Sequence, residues 1–191
     1  MKHSATFYGV MAAAIAMLVA PFFMAGDYSN IHNAVSELGA QNTSNSWVMN
    51  LGFVLFGIGV GVDASMRLKS APIVGAAFLI YGIAMVLVGI FSHKPIDPLL
   101  PYDAFEDDLH SLFATVVGTT FSVGTLSQAF CERAMARRTA CVAAALSAVI
   151  LPLCMLQFPD VQGVPQRFMF VISFFWLVGF LPEKPPGKTN L

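Results

Sequence analysis

Six apolar stretches, each close to the roughly 20 residues a helix needs to cross the hydrocarbon core of a bilayer, dominate this chain and leave it few other ways to fold. They run over residues 5–25, 47–66, 72–91, 109–130, 139–157 and 164–181. Only 11% of the residues are charged, 57% are hydrophobic and the mean hydropathy is +0.71. A soluble domain carries about a quarter charged residues, so a soluble fold is excluded. Helices satisfy their own backbone hydrogen bonds in lipid, and the alternation of a β-barrel is absent. The expected fold is an all-α integral membrane protein, a single compact bundle of six transmembrane helices spanning 1–191, with the tail 183–191 disordered.

The first stretch has some features of a cleavable signal, with Lys2 ahead of it and small residues near Ala25 and Gly26. Its apolar run exceeds the roughly 7–15 residues of a signal core, so it is expected to stay as a span. Lys2, Arg67, Lys69, Arg133, Arg137, Arg138, Lys184 and Lys188 fall at the ends of the chain or in loops two and four, and only Lys94 and Arg167 lie opposite. By the positive-inside rule both termini are cytoplasmic. Net charge is -1 and no basic stripe exists, which argues against nucleic acid as a partner. Cys131, Cys141 and Cys154 lack the spacing of a disulfide framework or metal knuckle and read as structural thiols.

Loop one carries the most polar block, residues 28–39, Tyr-Ser-Asn-Ile-His-Asn-Ala-Val-Ser-Glu-Leu-Gly. Ser29 as an N-cap and Gly39 as a stop predict about two turns of helix. Ile31, Val35 and Leu38 share one face; Ser29, Asn33, Ser36 and Glu37 share another. Such an element lies amphipathically at the interface, or simply solvates its polar side. Loop three is predicted to be extended by Pro95, Pro98 and Pro101, and its acidic run at 106–108 complements the dipole of the helix that follows.

Ionisable groups beside spanning helices are candidate functional groups. His32, Glu37, His93, Asp97, His110 and Arg167 gather at the extracytoplasmic ends, with Asn50 and Gln166 near them. Arg167 either snorkels outward or meets a carboxylate, Glu37 or Asp97. Glu37 is then an ionic lock or, in an apolar pocket, a general acid. His110 is a proton carrier, a ligand or a helix cap. His32, His93 and His110 suit zinc by type but lack helix spacing, so they are weak metal candidates and no cofactor is implied. Ser111, Thr115, Thr119, Ser122 and Thr125 follow helical spacing beside Gly118, as packing glue or one wall of a polar channel. Gly57 and Gly61 permit close helix approach, and Asp63 is expected to pair with Arg67.

Tyr28-Ser29 with Asn33, the block Ser36-Glu37-Leu38-Gly39-Ala40, and Asn50 with Gly52 resemble the signature of the family called domain of unknown function 998, prokaryotic membrane proteins of about six helices. Gly163-Val164-Pro165-Gln166-Arg167 with Trp176 is similar to its last-helix pattern, and His110 aligns with a histidine at the head of its fourth helix. The family pattern has Phe-Pro and an acid after the third helix, whereas Phe91 is followed here by Ser92-His93-Lys94 before Pro95 and Asp97. The resemblance implies the fold, a prokaryotic cytoplasmic membrane and a shared site, and supplies no reaction.

The expected function is an extracytoplasmic-side polar pocket that binds or processes a membrane lipid or other amphiphile. Tyr28, Ser29, Asn33, Ser36, Asn50, Gln166 and Arg167 would bind, and Glu37 and His110 would do any chemistry. A small transporter or accessory subunit is the alternative, and a metal-dependent hydrolase a further one. An apolar cavity beneath the polar cluster favours a ligand, a path of hydroxyls reaching Asp63 favours transport, and a flat apolar stripe without a cavity favours a structural subunit.

Overall fold

The computed structural model describes residues 4–23 and 28–182. Six helices are long and apolar enough to cross a membrane: α1 (Ala5–Val19), α2 (Trp47–Arg67), α3 (Pro72–Ile90), α4 (Ala104–Cys131), α5 (Met135–Gln157) and α6 (Gly163–Phe180). A 3-10 turn, Ala20–Phe22, extends α1, and others occupy Val35–Gly39 and Pro159–Val161. The predicted end of the first span at Ala25 and the tail 183–191 lie outside the described residues.

Two helices start earlier than the apolar pattern indicates. Asp103 caps α4, accepting the N–H groups of Phe105 and Glu106, while Glu106 and Asp107 lie in its first turn where the dipole favours negative charge. At 1.5 Å per residue α4 is about 42 Å long, well beyond the roughly 30 Å of hydrocarbon, so its first turns project among the loops. α5 begins at Met135, directly after a three-residue turn.

Lipid tails are as apolar as leucine, so helices associate in a membrane through close packing and polar contacts. α2 and α3 form the centre and approach most closely at glycines. A Cβ on Gly57 would fall 2.5 Å from the Gly82 carbonyl, and one on Gly82 would fall 2.7 Å from the Gly57 carbonyl. An aromatic seam then joins α2, α3 and α4 to α6, with Phe78 stacked on Trp176 at 5.1 Å, Phe56 edge-on to Phe174 at 5.1 Å and Phe121 edge-on to Trp176.

Polar contacts hold the end of the bundle that carries loops two and four. Asp63 does not pair with Arg67 as expected. Its carboxylate accepts the Thr6 N–H at 2.8 Å and so caps α1, an unsatisfied helix N-terminus being the stronger claim on a buried anion. Arg67, 4% exposed, instead donates to Gln128 Oε1 at 2.7 Å and to the carbonyls of Phe180 and Leu181 at the C-terminus of α6. Gln128 donates to Glu132, and Arg137 grips Glu132 while covering the Phe180 ring. Burial pushes the Glu132 carboxyl up, but hydrogen bonds from Arg137 and Gln128 and the charges of Arg137 and Arg67 outweigh it and hold the group below its ordinary pKa.

Candidate functional site

Loops one, three and five meet at the opposite end. The predicted two-turn helix over 29–39 does not form. Ser29 does cap, accepting the Ile31 and His32 N–H groups, and its own N–H goes to Asn33 Oδ1. These side-chain bonds close a tight turn that competes with helix. The chain re-enters a helical path only at Val35–Gly39, where the Glu37 carboxylate accepts the Ala34 N–H. Val35 and Leu38 are fully buried against the bundle, whereas Ile31 is 52% exposed, so the three expected face-mates part company.

α6 reads this turn through its backbone. The Gly163 N–H donates to the Ile31 carbonyl at 3.0 Å, and Gln166 Oε1 accepts the Val35 N–H. Arg167 Nη1 donates to the Asn30, Asn33 and Gly163 carbonyls, and Nη2 to Asn30 Oδ1 and the Tyr28 hydroxyl, each at 2.6 Å. Among the described residues Arg167 has no carboxylate partner, neither Glu37 nor Asp97. The reason is supply: a turn crowded with outward carbonyls engages both terminal nitrogens of the guanidinium without the cost of burying an anion. Burial raises the Tyr28 pKa against the opposing charge and hydrogen bond of Arg167, and the phenol stays protonated to donate to the Ala34 carbonyl. A Cβ on Gly163 would fall 2.5 Å from the Asn30 carbonyl and collide with that of Asn33, so only glycine lets the turn seat here.

A second polar group joins loop one to loop three. Gln41 donates to the Ser92 and Asp103 carbonyls and accepts the Asp103 N–H. Asn50 bridges the Gly39 carbonyl and Ser92 Oγ. His93 Nδ1 meets the Asp107 carboxylate, and its ring stacks on His110 with centroids 5.3 Å apart. His110 is 4% exposed, and its Nδ1 bonds the Phe91 carbonyl at 2.8 Å; because a carbonyl only accepts, Nδ1 carries the proton. His32 lies elsewhere, on the Asp160 carbonyl. No group of three or more His, Cys, Asp or Glu among the described residues is placed to hold a metal.

The sequence-predicted residues therefore fall into two clusters. Tyr28, Ser29, Asn33, Gln166 and Arg167 gather at α6, with Glu37 beside Tyr28, while Asn50, His93 and His110 gather at α3 and α4. Ser36 is half-buried in the 3-10 turn, and Asp97 caps its own loop by accepting the Leu99 N–H.

Beneath the first cluster a cavity of about 450 Å³ opens between α3, α4, α5 and α6, and Gln166 is the one residue of the two clusters among its described lining. Its space comes from small side chains, Gly118 on α4 and Ala148 on α5, and from Pro152, which cannot donate to the Ala148 carbonyl. Thr115, Thr119 and Ser122 form one wall, so the middle of the predicted hydroxyl stripe lines space instead of packing, while Thr125 is buried. Each donates to a carbonyl one turn back in its own helix and offers the cavity only lone pairs and methyl groups. No charged side chain is among the described lining residues. Thr115, Thr119 and Val149 line the cavity and are themselves exposed, which puts its mouth on the lateral face between α4 and α5.

Sequence reading missed Pro152, Tyr81 and Met85 as cavity residues and Gln41 as a staple. A proline inside an apolar span was the available signal for the first. The others are ordinary residues for a membrane core or a polar loop.

Comparison with curated proteins and with solved structures returns no match. The family model described as Protein of unknown function (DUF998) matches residues 7–181, from the first helix through the last. The turn seated on Gly163-Val164-Pro165-Gln166-Arg167 thus falls within a polytopic membrane protein that belongs to the DUF998 family.

Proposed function

We propose that the protein binds a membrane amphiphile whose apolar part enters the lateral cavity from the bilayer and whose polar part meets Gln166. The observation that carries this reading is the cavity itself: about 450 Å³, within the range of roughly 300–1,000 Å³ typical of ligand sites, apolar, uncharged and facing lipid. Gln166 belongs both to the cavity wall and to the seat of loop one, with its Oε1 on the Val35 N–H. Its Nε2 has no hydrogen-bond partner among the described residues and is a donor for a ligand. On this reading the polar end faces away from the cytoplasm, both termini are cytoplasmic, the chain folds as one domain in a prokaryotic cytoplasmic membrane, and the Tyr28–Arg167 cluster holds the lid of the site.

A binding cavity is favoured over a transport path because the α4 hydroxyls are engaged within their own helix and Asp63 is engaged with α1. Gly118 supplies the test. A Cβ there meets nothing within 4 Å, so the side chain of Gly118→Leu has open space to enter and is expected to take up cavity volume while improving helix propensity. Native mass spectrometry of protein extracted in mild detergent is expected to find lipid adducts on the wild type and to find them gone in Gly118→Leu, with the melting temperature unchanged or raised. Equal adducts on both proteins would refute the reading.

A further inference from the structure

The cavity has a second polar feature, at its inner end. Tyr81 stands midway along α3, is 2% exposed and lines the cavity. Its ring is fixed by edge contacts with Phe56 and Phe78 at 5.9 and 6.1 Å. Its hydroxyl has no hydrogen-bond partner among the described residues, although buried tyrosine hydroxyls ordinarily find one. Every other hydroxyl on the wall is committed to a helix carbonyl, including Ser173 on that of Phe170. An unmatched donor thus sits near the membrane midplane, beside space, in a wall without charge.

We infer that the ligand is an uncharged lipid carrying a carbonyl that accepts a hydrogen bond from Tyr81 inside the cavity. This rests on the reading of the cavity as an amphiphile site and narrows it. An ionised headgroup has no counter-charge here, since the nearest guanidinium, Arg167, is consumed by the carbonyls of loop one. An unpaired charge buried in such surroundings is strongly unfavourable. A carbonyl suits both available donors, the Tyr81 hydroxyl and Gln166 Nε2. Met85, Met155 and Met169 together with Phe121 and Phe170 give the soft, polarisable wall that an isoprenoid or acyl chain, or a flat ring, can fill.

The test uses purified full-length protein in nanodiscs doped separately with a diacylglycerol, a prenylquinone and phosphatidylglycerol, and reads retained lipid per protein by mass spectrometry. At least one of the two uncharged carbonyl lipids is expected to be retained over phosphatidylglycerol by about tenfold, and which of the two identifies the source. Tyr81→Phe removes only a hydroxyl with no partner among the described residues, so folding should be unaltered while retention falls about fivefold, the loss of one hydrogen bond. Retention of phosphatidylglycerol equal to that of the uncharged lipids, or full retention by Tyr81→Phe, would overturn the inference. If wild type and Gly118→Leu retain every lipid alike, the cavity reading itself fails, and this inference with it.

Discussion

Single residues in loop one act through backbone shape more than through charge. Arg167 donates to three carbonyls, an amide oxygen and a phenol, whereas among the described residues the Glu37 carboxylate hydrogen-bonds only the Ala34 N–H. Arg167→Lys is therefore expected to destabilise the protein by about 2 kcal/mol or more, since one ammonium cannot reach acceptors spread across a guanidinium fork. Glu37→Gln keeps an acceptor for the Ala34 N–H and should cost about 1 kcal/mol or less. Thermal melting in detergent measures both, and proteolysis within 28–39 should rise only for the first. A larger loss from Glu37→Gln than from Arg167→Lys would reinstate the ionic lock. Gly163→Ala, forced against the Asn30 and Asn33 carbonyls, should cost about 1–3 kcal/mol by the same assay.

Whole elements were more legible in the sequence than their polar contacts. Hydrophobic length found all six helices, because the requirement to cross the bilayer is imposed by the solvent and needs no partner. The starts of α4, which Asp103 caps, and of α5 were missed because their first turns are polar. The two-turn helix of loop one was misread because Ser29 can cap a turn as well as a helix, and tertiary contacts from Gly163 and Gln166 decided between them. The Asp63–Arg67 pair failed for the same reason: spacing of one turn permits it, but competing partners on α1, α4 and α6 take each group. The network at that end predicts a pH dependence. The Glu132 carboxyl is held below its ordinary value, so the stability it contributes is present above the usual carboxylate range and is lost as pH falls through the lowered pKa. The melting temperature should therefore drop as the pH falls below about 4, and Glu132→Gln, already lower at neutral pH, should show a flatter profile. A profile as steep in Glu132→Gln as in wild type would assign the acid sensitivity to other groups.

At the scale of the whole molecule, Gln166 links the polar loops to the cavity, holding the one and lining the other. The sequence pointed to polar groups that the structure divides between two clusters, because ionisable groups stand out against an apolar chain. It could not show the cavity, because space is a property of where Gly118, Ala148 and Pro152 meet and leaves no mark on composition. The central claim, that this space holds lipid, is tested most directly by photolabelling in intact membranes with a lipid bearing a diazirine on its chain. Labels are predicted on Val117, Met155 and Met169, which line the cavity, and lost from them in Gly118→Leu. Labels confined to perimeter residues such as Leu112, Val123 and Leu146, with the same pattern in Gly118→Leu, would contradict it.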